Sequence, residues 1–287
     1  MNEKISVIIP AKNESTGLSK FLPKLCLLKD KFNFEVIVVN DGSTDNTSEI
    51  CRRHDVTELV HPYSKGNGAA IKSGARSAKG STFVFMDGDG QHDANDIPRL
   101  ISRYNEGYDM VVGNRDGKSQ ASFGRLAANR LYNRLASWMV GYRVRDLTSG
   151  FRVVDACKFK EFLYILPNGF SYPTTSTMAF FRAGYSVCYE PIVAAKREGK
   201  SHIKLLKDGV RFLLIIFKIG TLYSPLKLFT PVSLIAFGLG VGYYGFTYFT
   251  AGRFTNMSAL LFSTSLLIFM MGLISEQITA IMYKKDE

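Results

Sequence analysis

Two stretches without a charged side chain, residues 228–252 and 254–275, put the first limit on any fold for this chain. A membrane span needs about 20 mostly apolar residues, and each stretch is long enough. Only the short Gly252-Arg253-Phe254 segment parts them, so a tight hairpin over 226–283, with spans at about 228–250 and 257–280, is the natural topology. In the first span Gly238 and Gly242 make a GxxxG step beside Ala236 and Gly240, a pattern suited to close helix packing. Packing inside the hairpin and packing between copies in a homo-oligomer are both open. Glu276, near the end of the second span, reads as a carboxylate reaching the interface rather than a functional charge within the membrane.

Charge sits beside this hairpin. The net charge is +11, and two stretches account for it. Residues 196–227 carry eight Lys/Arg against two acids, and residues 115–146 carry seven against two. Solvated helix faces explain part of this. A basic collar facing anionic headgroups and phosphates is the sharper reading. Nucleic acid is set aside because no binding module accompanies the charge. Residues 203–222 look amphipathic, with Lys204, Lys207, Asp208, Arg211 and Lys218 near one face, so a helix resting in the bilayer interface is expected over 203–225. The apolar core of the first ten residues is too short for a signal peptide. Lys227, Lys284 and Lys285 flank the spans, so the expectation is a multi-pass protein of the cytoplasmic membrane with residues 1–202 in the cytosol. Arg253, in the connecting loop, argues the other way. Cys26, Cys51, Cys157 and Cys188 form no CxxC pair and read as reduced thiols.

The first 200 residues alternate in type. Apolar runs at 5–9, 34–39, 58–60, 82–86 and 109–112 read as strands. Helical spacing marks 16–28, where Leu18, Phe21, Leu22 and Leu25 recur on one face, and helices are also expected over 67–78 and 124–140. Gly169 to Pro173 and Pro191 read as breaks. This rhythm predicts an α/β fold with a mostly parallel sheet covered on both faces. Ligands of such sheets bind beyond the carboxyl ends of the strands. Asn13 and Glu14, Asp41, Lys65 to Gly68, and Asp87 to Gln91 all follow strands or strand-like runs, so they can share one crevice.

The chemistry concentrates at Asp87-Gly88-Asp89-Gly90-Gln91. Two carboxylates leave a buried strand, Gly88 and Gly90 keep side chains out of a ligand's way, and Gln91 adds a neutral oxygen. Mg²⁺ takes hard oxygen ligands and commonly only one or two carboxylates, the rest coming from substrate phosphate and water. A plain Asp/Gly turn, with Asp93 or Asp96 capping a helix, is the structural alternative. His92 follows the motif and is a candidate to orient it. His54 and His61 read as ordinary surface or packing residues.

Five motifs, in order and in register, carry a resemblance: Ile9-Pro10-Ala11-Lys12-Asn13-Glu14, Asn40-Asp41-Gly42-Ser43-Thr44-Asp45, Lys65-Gly66-Asn67-Gly68, Asp87-Gly88-Asp89-Gly90-Gln91-His92 and Asp146-Leu147-Thr148-Ser149-Gly150-Phe151-Arg152. Together they resemble glycosyltransferase family 2, and more narrowly its polyprenyl-phosphate glycosyltransferases related to dolichol-phosphate mannose synthase. The resemblance implies a GT-A fold, a divalent metal (Mg²⁺ or Mn²⁺) and inverting transfer from a nucleoside-diphosphate sugar, UDP- or GDP-linked, to polyprenyl phosphate. It implies that Pro10, Glu14 and Asp41 hold the nucleoside, with Asn13, Lys65, Gly66 and Gly88 lining the same nucleotide-sugar site. Asp87 would lie near ribose and metal, with Asp89 and Gln91 as metal ligands. Arg115 matches an arginine that faces the phosphates, although Asn114 replaces the usual serine before it. Asp89 and Arg115 are thus the catalytic candidates. Arg115, Arg125, Ser149, Arg197 and His202 are candidates for the acceptor phosphate; His202 stands where lysine is common, and a solvated-helix reading of Arg125 remains beside the functional one.

Rival readings stay in view. A processive polysaccharide synthase would carry a Gln-x-x-Arg-Trp motif, and the only tryptophan here is Trp138, outside any such motif. A membrane-anchored transferase with another acceptor, such as a small phosphorylated acid, and a catalytically silent nucleotide-sugar scaffold are the alternatives that turnover would separate.

Overall fold

Burial explains why the apolar runs become strands. All seven residues of β1 (Ile5–Ala11) are buried, and β1 pairs in parallel with β2 (Phe34–Asn40) and β4 (Thr82–Phe85). Strand β2 pairs in parallel with β3 (Thr57–Val60). Near-continuous hydrophobic strands of this kind belong to sheets covered on both faces. The computed structural model describes residues 4–115, 123–169, 172–193, 217, 220–221 and 224–282, without the side chains of 30–31, 123–128 and 282. Arg197, His202, the Arg125 side chain, Lys284, Lys285 and most of the expected interface helix lie outside the described residues.

Helices α1 (Ser15–Phe32), α2 (Thr47–Arg53) and α3 (Asn67–Ser77) connect the first strands. On one face of the sheet Ile5, Val7, Ile9, Val36, Val38 and Val84 pack with Leu18, Phe21, Leu22 and Leu25 of α1 and with Ile97, Leu100 and Ile101 of α4 (Ile97–Tyr104). Burial of each such side chain stabilises by about 1.5–3 kcal/mol. Helix α1 runs past the expected end at residue 28 and stops where Asn33 turns left-handed, φ 48°. On the other face α3 comes so close that a Cβ on Gly74 would lie 2.4 Å from Ile8 Cγ2, which explains its small residues.

The sheet has seven strands in the order β3-β2-β1-β4-β6-β5-β7. Strand β5 (Met110–Arg115) is joined through α5 (Phe123–Val140) to β6 (Arg152–Asp155), and α6 (Ala156–Lys160) and α7 (Tyr172–Arg182) lead to β7 (Val187–Ile192). Strand β6 is antiparallel to both β4 and β5, whereas β7 is parallel to β5. Pro191 does not break the chain: it sits inside β7, an edge strand, where a missing N–H is tolerated. Pro173 likewise opens a helix rather than interrupting one, as proline can in a first turn. Because β6 runs backwards, its beginning lies beside the ends of the parallel strands. The loop over 146–151 therefore reaches the same edge as the Asp87 motif.

The chain divides into units Met1–His202 and Ile203–Glu287. The second contains helices Pro225–Ala251 and Asn256–Met282, both long and apolar enough to cross a membrane. They meet through Gly240 against Phe262, Gly272 against Phe229, and a reciprocal serine pair in which Ser233 Oγ donates to the Ser265 carbonyl and Ser265 Oγ to the Ser233 carbonyl, each at 2.9 Å. Gly238 and Gly242 have no heavy atom within 4 Å of where a Cβ would stand, so the GxxxG step is not the hairpin seam. The Glu276 carboxylate accepts from the Leu226 amide at 3.3 Å, supplying an orphan donor at the first helix's start.

Candidate active site

The loop after β2 is built around one carboxylate. Asp41 Oδ1 accepts from the Lys65 amide at 2.8 Å and lies 2.7 Å from His61 Nδ1; Oδ2 accepts from the Gly66 amide at 2.8 Å and from Ser64 Oγ at 2.7 Å. A carboxylate offers roughly four acceptor positions, so this set fills them. Burial pushes the Asp41 carboxyl up, but the bonds from His61, Lys65, Ser64 and Gly66 outweigh it and hold the pKa at about 2. His61 is buried and its Nε2 lies 2.9 Å from Ser73 Oγ. Sequence reading took His61 for an ordinary surface or packing residue; its position just after a strand was the signal available for its contact with Asp41.

The loop after β1 is tied to this one. Asn13 adopts φ 55°, its amide donates to Ser43 Oγ at 3.0 Å, and its Oδ1 accepts from the Thr44 amide at 2.8 Å. Asparagine tolerates that left-handed backbone better than most residues. The Ser15 amide donates to Asp45 Oδ2 at 3.0 Å. Pro10 is buried in β1, Glu14 is half-buried, and Lys65 is exposed.

Asp87, Asp89 and Gln91 leave β4 half-buried at the same edge. Asp89 Oδ1 accepts from the Gln91 amide at 3.1 Å, which curls the motif on itself. At Gly88 the neighbouring strand leaves little room for a side chain: a Cβ there would stand 3.0 Å from the Pro10 carbonyl oxygen. His92 is buried, its ring centroid 5.0 Å from that of Phe151, with Nε2 3.3 Å from Asp87 Oδ2. Gly150 presses on Asp87 from the other side, where a Cβ would lie 2.4 Å from Oδ2. Burial raises the Asp87 pKa, but the His92 bond and the charges of His92, Arg115 and Arg152 outweigh it and hold the carboxyl below the ordinary value.

Arg115, at the end of β5, is gripped as a fork. Its Nε donates to Asp146 Oδ2 at 2.9 Å, and Nη2 donates to Asp146 Oδ1 at 3.0 Å and to Thr148 Oγ1 at 2.6 Å. Asp146 also accepts from the amides of Thr148 and Ser149, both at 3.1 Å. Burial works against ionisation of Asp146, yet Arg115 and these amides keep its pKa low. Beneath this loop lies Arg152, fully buried, donating to the carbonyls of Ser149 and Pro173 and to Ser176 Oγ and Thr177 Oγ1. Tyr172 Oη donates to the Gly150 carbonyl at 3.1 Å, and burial pushes its pKa well up, so it stays a phenol donor. Among the described residues Ser149 Oγ is buried without a hydrogen-bond partner, as are His92 Nδ1, Arg152 Nε and Tyr189 Oη.

Among the described residues no three His, Cys, Asp or Glu side chains cluster as a self-sufficient metal site. Two half-buried carboxylates at a strand end suit Mg²⁺ or Mn²⁺ of the kind whose shell is completed by phosphate oxygens. The edge thus joins an acidic corner at Asp87 and Asp89 to a fixed cation at Arg115. Arg125, Arg197 and His202 lie outside the described side chains, so their relation to this edge is not part of the geometry.

Comparison with known proteins agrees with this architecture. Residues 6–163 match the model of glycosyl transferase family 2, and residues 224–281 match that of the GtrB C-terminal hairpin. The undecaprenyl-phosphate 4-deoxy-4-formamido-L-arabinose transferase of Aeromonas hydrophila is 28% identical, covering 96% of this chain and 88% of its own. The dolichol-phosphate mannosyltransferase of Pyrococcus furiosus is 33% identical over 52% of this chain and 45% of its own. Among solved structures, glucosyl-3-phosphoglycerate synthase of Mycobacterium tuberculosis, in complex with Mn²⁺ and UDP-glucose, superposes with a TM-score of 0.60 at 21% identity, covering 76% of this chain and 78% of that one. That likeness bears on the fold.

Proposed function

This chain belongs to glycosyltransferase family 2, and on that footing we propose that it moves a hexose or N-acetylhexosamine from a UDP- or GDP-linked sugar to polyprenyl phosphate (dolichyl or undecaprenyl) at the cytoplasmic face of a membrane. One observation carries the reading. The Arg115 fork on Asp146 and Thr148 stands at the same sheet edge as Asp87 and Asp89, in a chain whose next segment matches a membrane hairpin model. The hairpin favours a lipid acceptor over the soluble phosphorylated acid named for the solved relative.

The chemistry asks little proton transfer of the protein. A phosphate monoester has a second pKa near 6, so at pH 7 the acceptor is largely a dianion. One of its oxygens attacks the anomeric carbon from the side opposite the leaving group. The bond from that carbon to the diphosphate oxygen breaks, its electron pair leaves with the nucleoside diphosphate, and configuration inverts. Two anions must be brought into line, so positioning and charge neutralisation dominate. Pro10, Asn13 and Glu14 line the nucleoside side, and Asp41 shapes it by anchoring the loop that carries Lys65 and Gly66. Asp87, Asp89 and Gln91 would hold Mg²⁺ or Mn²⁺, which neutralises diphosphate charge when bound. Arg115 pairs with phosphate as a planar fork. Ser149 offers its hydroxyl to the acceptor phosphate, with Arg125, Arg197 and His202 as further candidates there. The hairpin keeps the catalytic unit at the bilayer, as a multi-pass protein with that unit in the cytosol.

The test is turnover by the purified full chain in detergent. It would be offered polyprenyl phosphate with UDP-glucose, UDP-N-acetylglucosamine, UDP-galactose or GDP-mannose, with and without EDTA. Labelled lipid formed with one donor supports the proposal; nucleotide release without lipid product, or no turnover at all, refutes it.

A further inference from the structure

Among the described residues Arg152 is the largest fully buried side chain, at 0% exposure. A buried guanidinium is costly unless it is paired, yet among the described residues it forms no salt bridge. Its acceptors are neutral: the carbonyls of Ser149 and Pro173, the hydroxyls of Ser176 and Thr177, and, at 3.9 Å, the Met110 sulfur. Its Nε has no hydrogen-bond partner among the described residues. Its charge stands 5.8 Å over the Tyr172 ring and helps hold the Asp87 carboxyl ionised, but its hydrogen bonds to neutral groups call for a second reason.

Its contacts supply one. Three of the five acceptors belong to the first turns of α7, and a fourth is the backbone of the loop that begins with Asp146. Arg152 therefore fastens the Ser149 carbonyl to a rigid helix start. Tyr172, from the same helix, fastens the adjoining Gly150 carbonyl. The Ser149 amide donates to Asp146 Oδ1 at 3.1 Å and its carbonyl accepts from Arg152, so the backbone that carries the side chain is held on both sides; its hydroxyl is one of four buried polar atoms without a hydrogen-bond partner among the described residues. Buried polar groups are nearly always satisfied, so an unsatisfied hydroxyl on the loop whose Asp146 grips Arg115 points to a ligand that would meet it.

We propose that Arg152 is a positioning residue that sets Ser149 for the acceptor phosphate, touching neither substrate itself. This rests on the reading of Ser149 as an acceptor-phosphate donor given above. The guanidinium acts here through its geometry: several N–H groups in one plane reach the helix start and the loop together, which a lysine ammonium cannot reproduce.

A double-mutant cycle on the full-length protein separates this from a merely structural role. Initial rates with a polyprenyl phosphate and the preferred sugar nucleotide would be measured for wild type, Ser149→Ala, Arg152→Lys, Arg152→Met and the two double variants. Arg152→Lys and Arg152→Met are each expected to raise the acceptor KM about tenfold, an effect of about 1.4 kcal/mol, with the donor KM within about twofold of wild type. In the Ser149→Ala background the same substitutions should change the acceptor KM by less than about twofold. Equal rises in both backgrounds, or parallel rises of donor and acceptor KM, overturn the proposal and leave the reading of Ser149 standing. An unchanged acceptor KM in Ser149→Ala alone overturns that reading and the proposal with it. Melting curves show which variants fold. If neither Arg152 variant does, Tyr172→Phe takes its place; loss of one neutral hydrogen bond should raise the acceptor KM about threefold, again only while Ser149 is present.

Discussion

Asp41→Asn changes one charge and almost no volume, so its cost can be worked from the loop it anchors. In the folded protein the carboxyl pKa falls from the ordinary 3.8 to about 2. At about 1.36 kcal/mol per tenfold change, that depression corresponds to roughly 2.4 kcal/mol of stability from the ionised form. The side chain is only 5% exposed, so solvent screening takes little away. Asparagine also turns an NH₂ toward groups that are themselves donors, and an unmet buried donor costs a further ~1–3 kcal/mol. The expected loss at pH 7 is therefore about 3–5 kcal/mol. The folded carboxyl binds its proton less tightly than the unfolded one. Its contribution is thus complete above about pH 4 and fades as the pH falls toward about 2. Urea unfolding of both proteins, followed by the fluorescence of Trp138, the single tryptophan, measures the gap at each pH. A gap below about 0.5 kcal/mol at pH 7, or one that stays constant down to pH ~2.5, would refute the reasoning.

Other substitutions probe the rest of the site. Gly150→Ala puts a methyl 2.4 Å from Asp87 Oδ2 and forces the carboxylate aside by about 1 Å; kcat should fall about 100-fold while the melting temperature barely moves, and a rate within threefold of wild type contradicts this. Arg115→Lys loses the two-point grip on Asp146, so kcat/KM should drop about 10- to 100-fold in steady-state assays, in keeping with the loss of a bidentate fork. Ser233→Ala removes one donor of the serine pair between the hairpin helices and should cost about 0.6–1.7 kcal/mol in a detergent unfolding titration, no more than membrane hydrogen bonds usually contribute.

How far the sequence could be read follows from burial. Strands β1, β2 and β4 are apolar along most of their length, and each was visible as a run. Strand β6 was not, because it is four residues long and opens with an arginine whose burial no pattern announces. Strand β7 hid behind Pro191 and its half-exposed residues, both features of an edge. Within the site, the residues that follow parallel strands were legible because the fold itself collects strand ends. Asp146 and Ser149 reached the same edge only through the antiparallel turn of β6, and His61 only through its contact with Asp41. In the hairpin, the spacing of Gly238 and Gly242 suggested a packing face, but which glycine meets the second helix depends on a rotation that periodicity alone does not fix. Gly240 does so instead.

The central claim is a transfer onto lipid phosphate by an oxygen-ligated, metal-assisted site. The most direct measurement offers the detergent-purified protein a labelled nucleoside-diphosphate sugar and polyprenyl phosphate, and follows lipid-linked sugar and nucleoside diphosphate together. The account predicts that one donor yields both products in equal amounts, that EDTA stops the reaction and Mg²⁺ or Mn²⁺ restores it, and that Asp89→Ala makes neither product while remaining folded. Lipid product that persists in EDTA, or that Asp89→Ala makes at the wild-type rate, would contradict it.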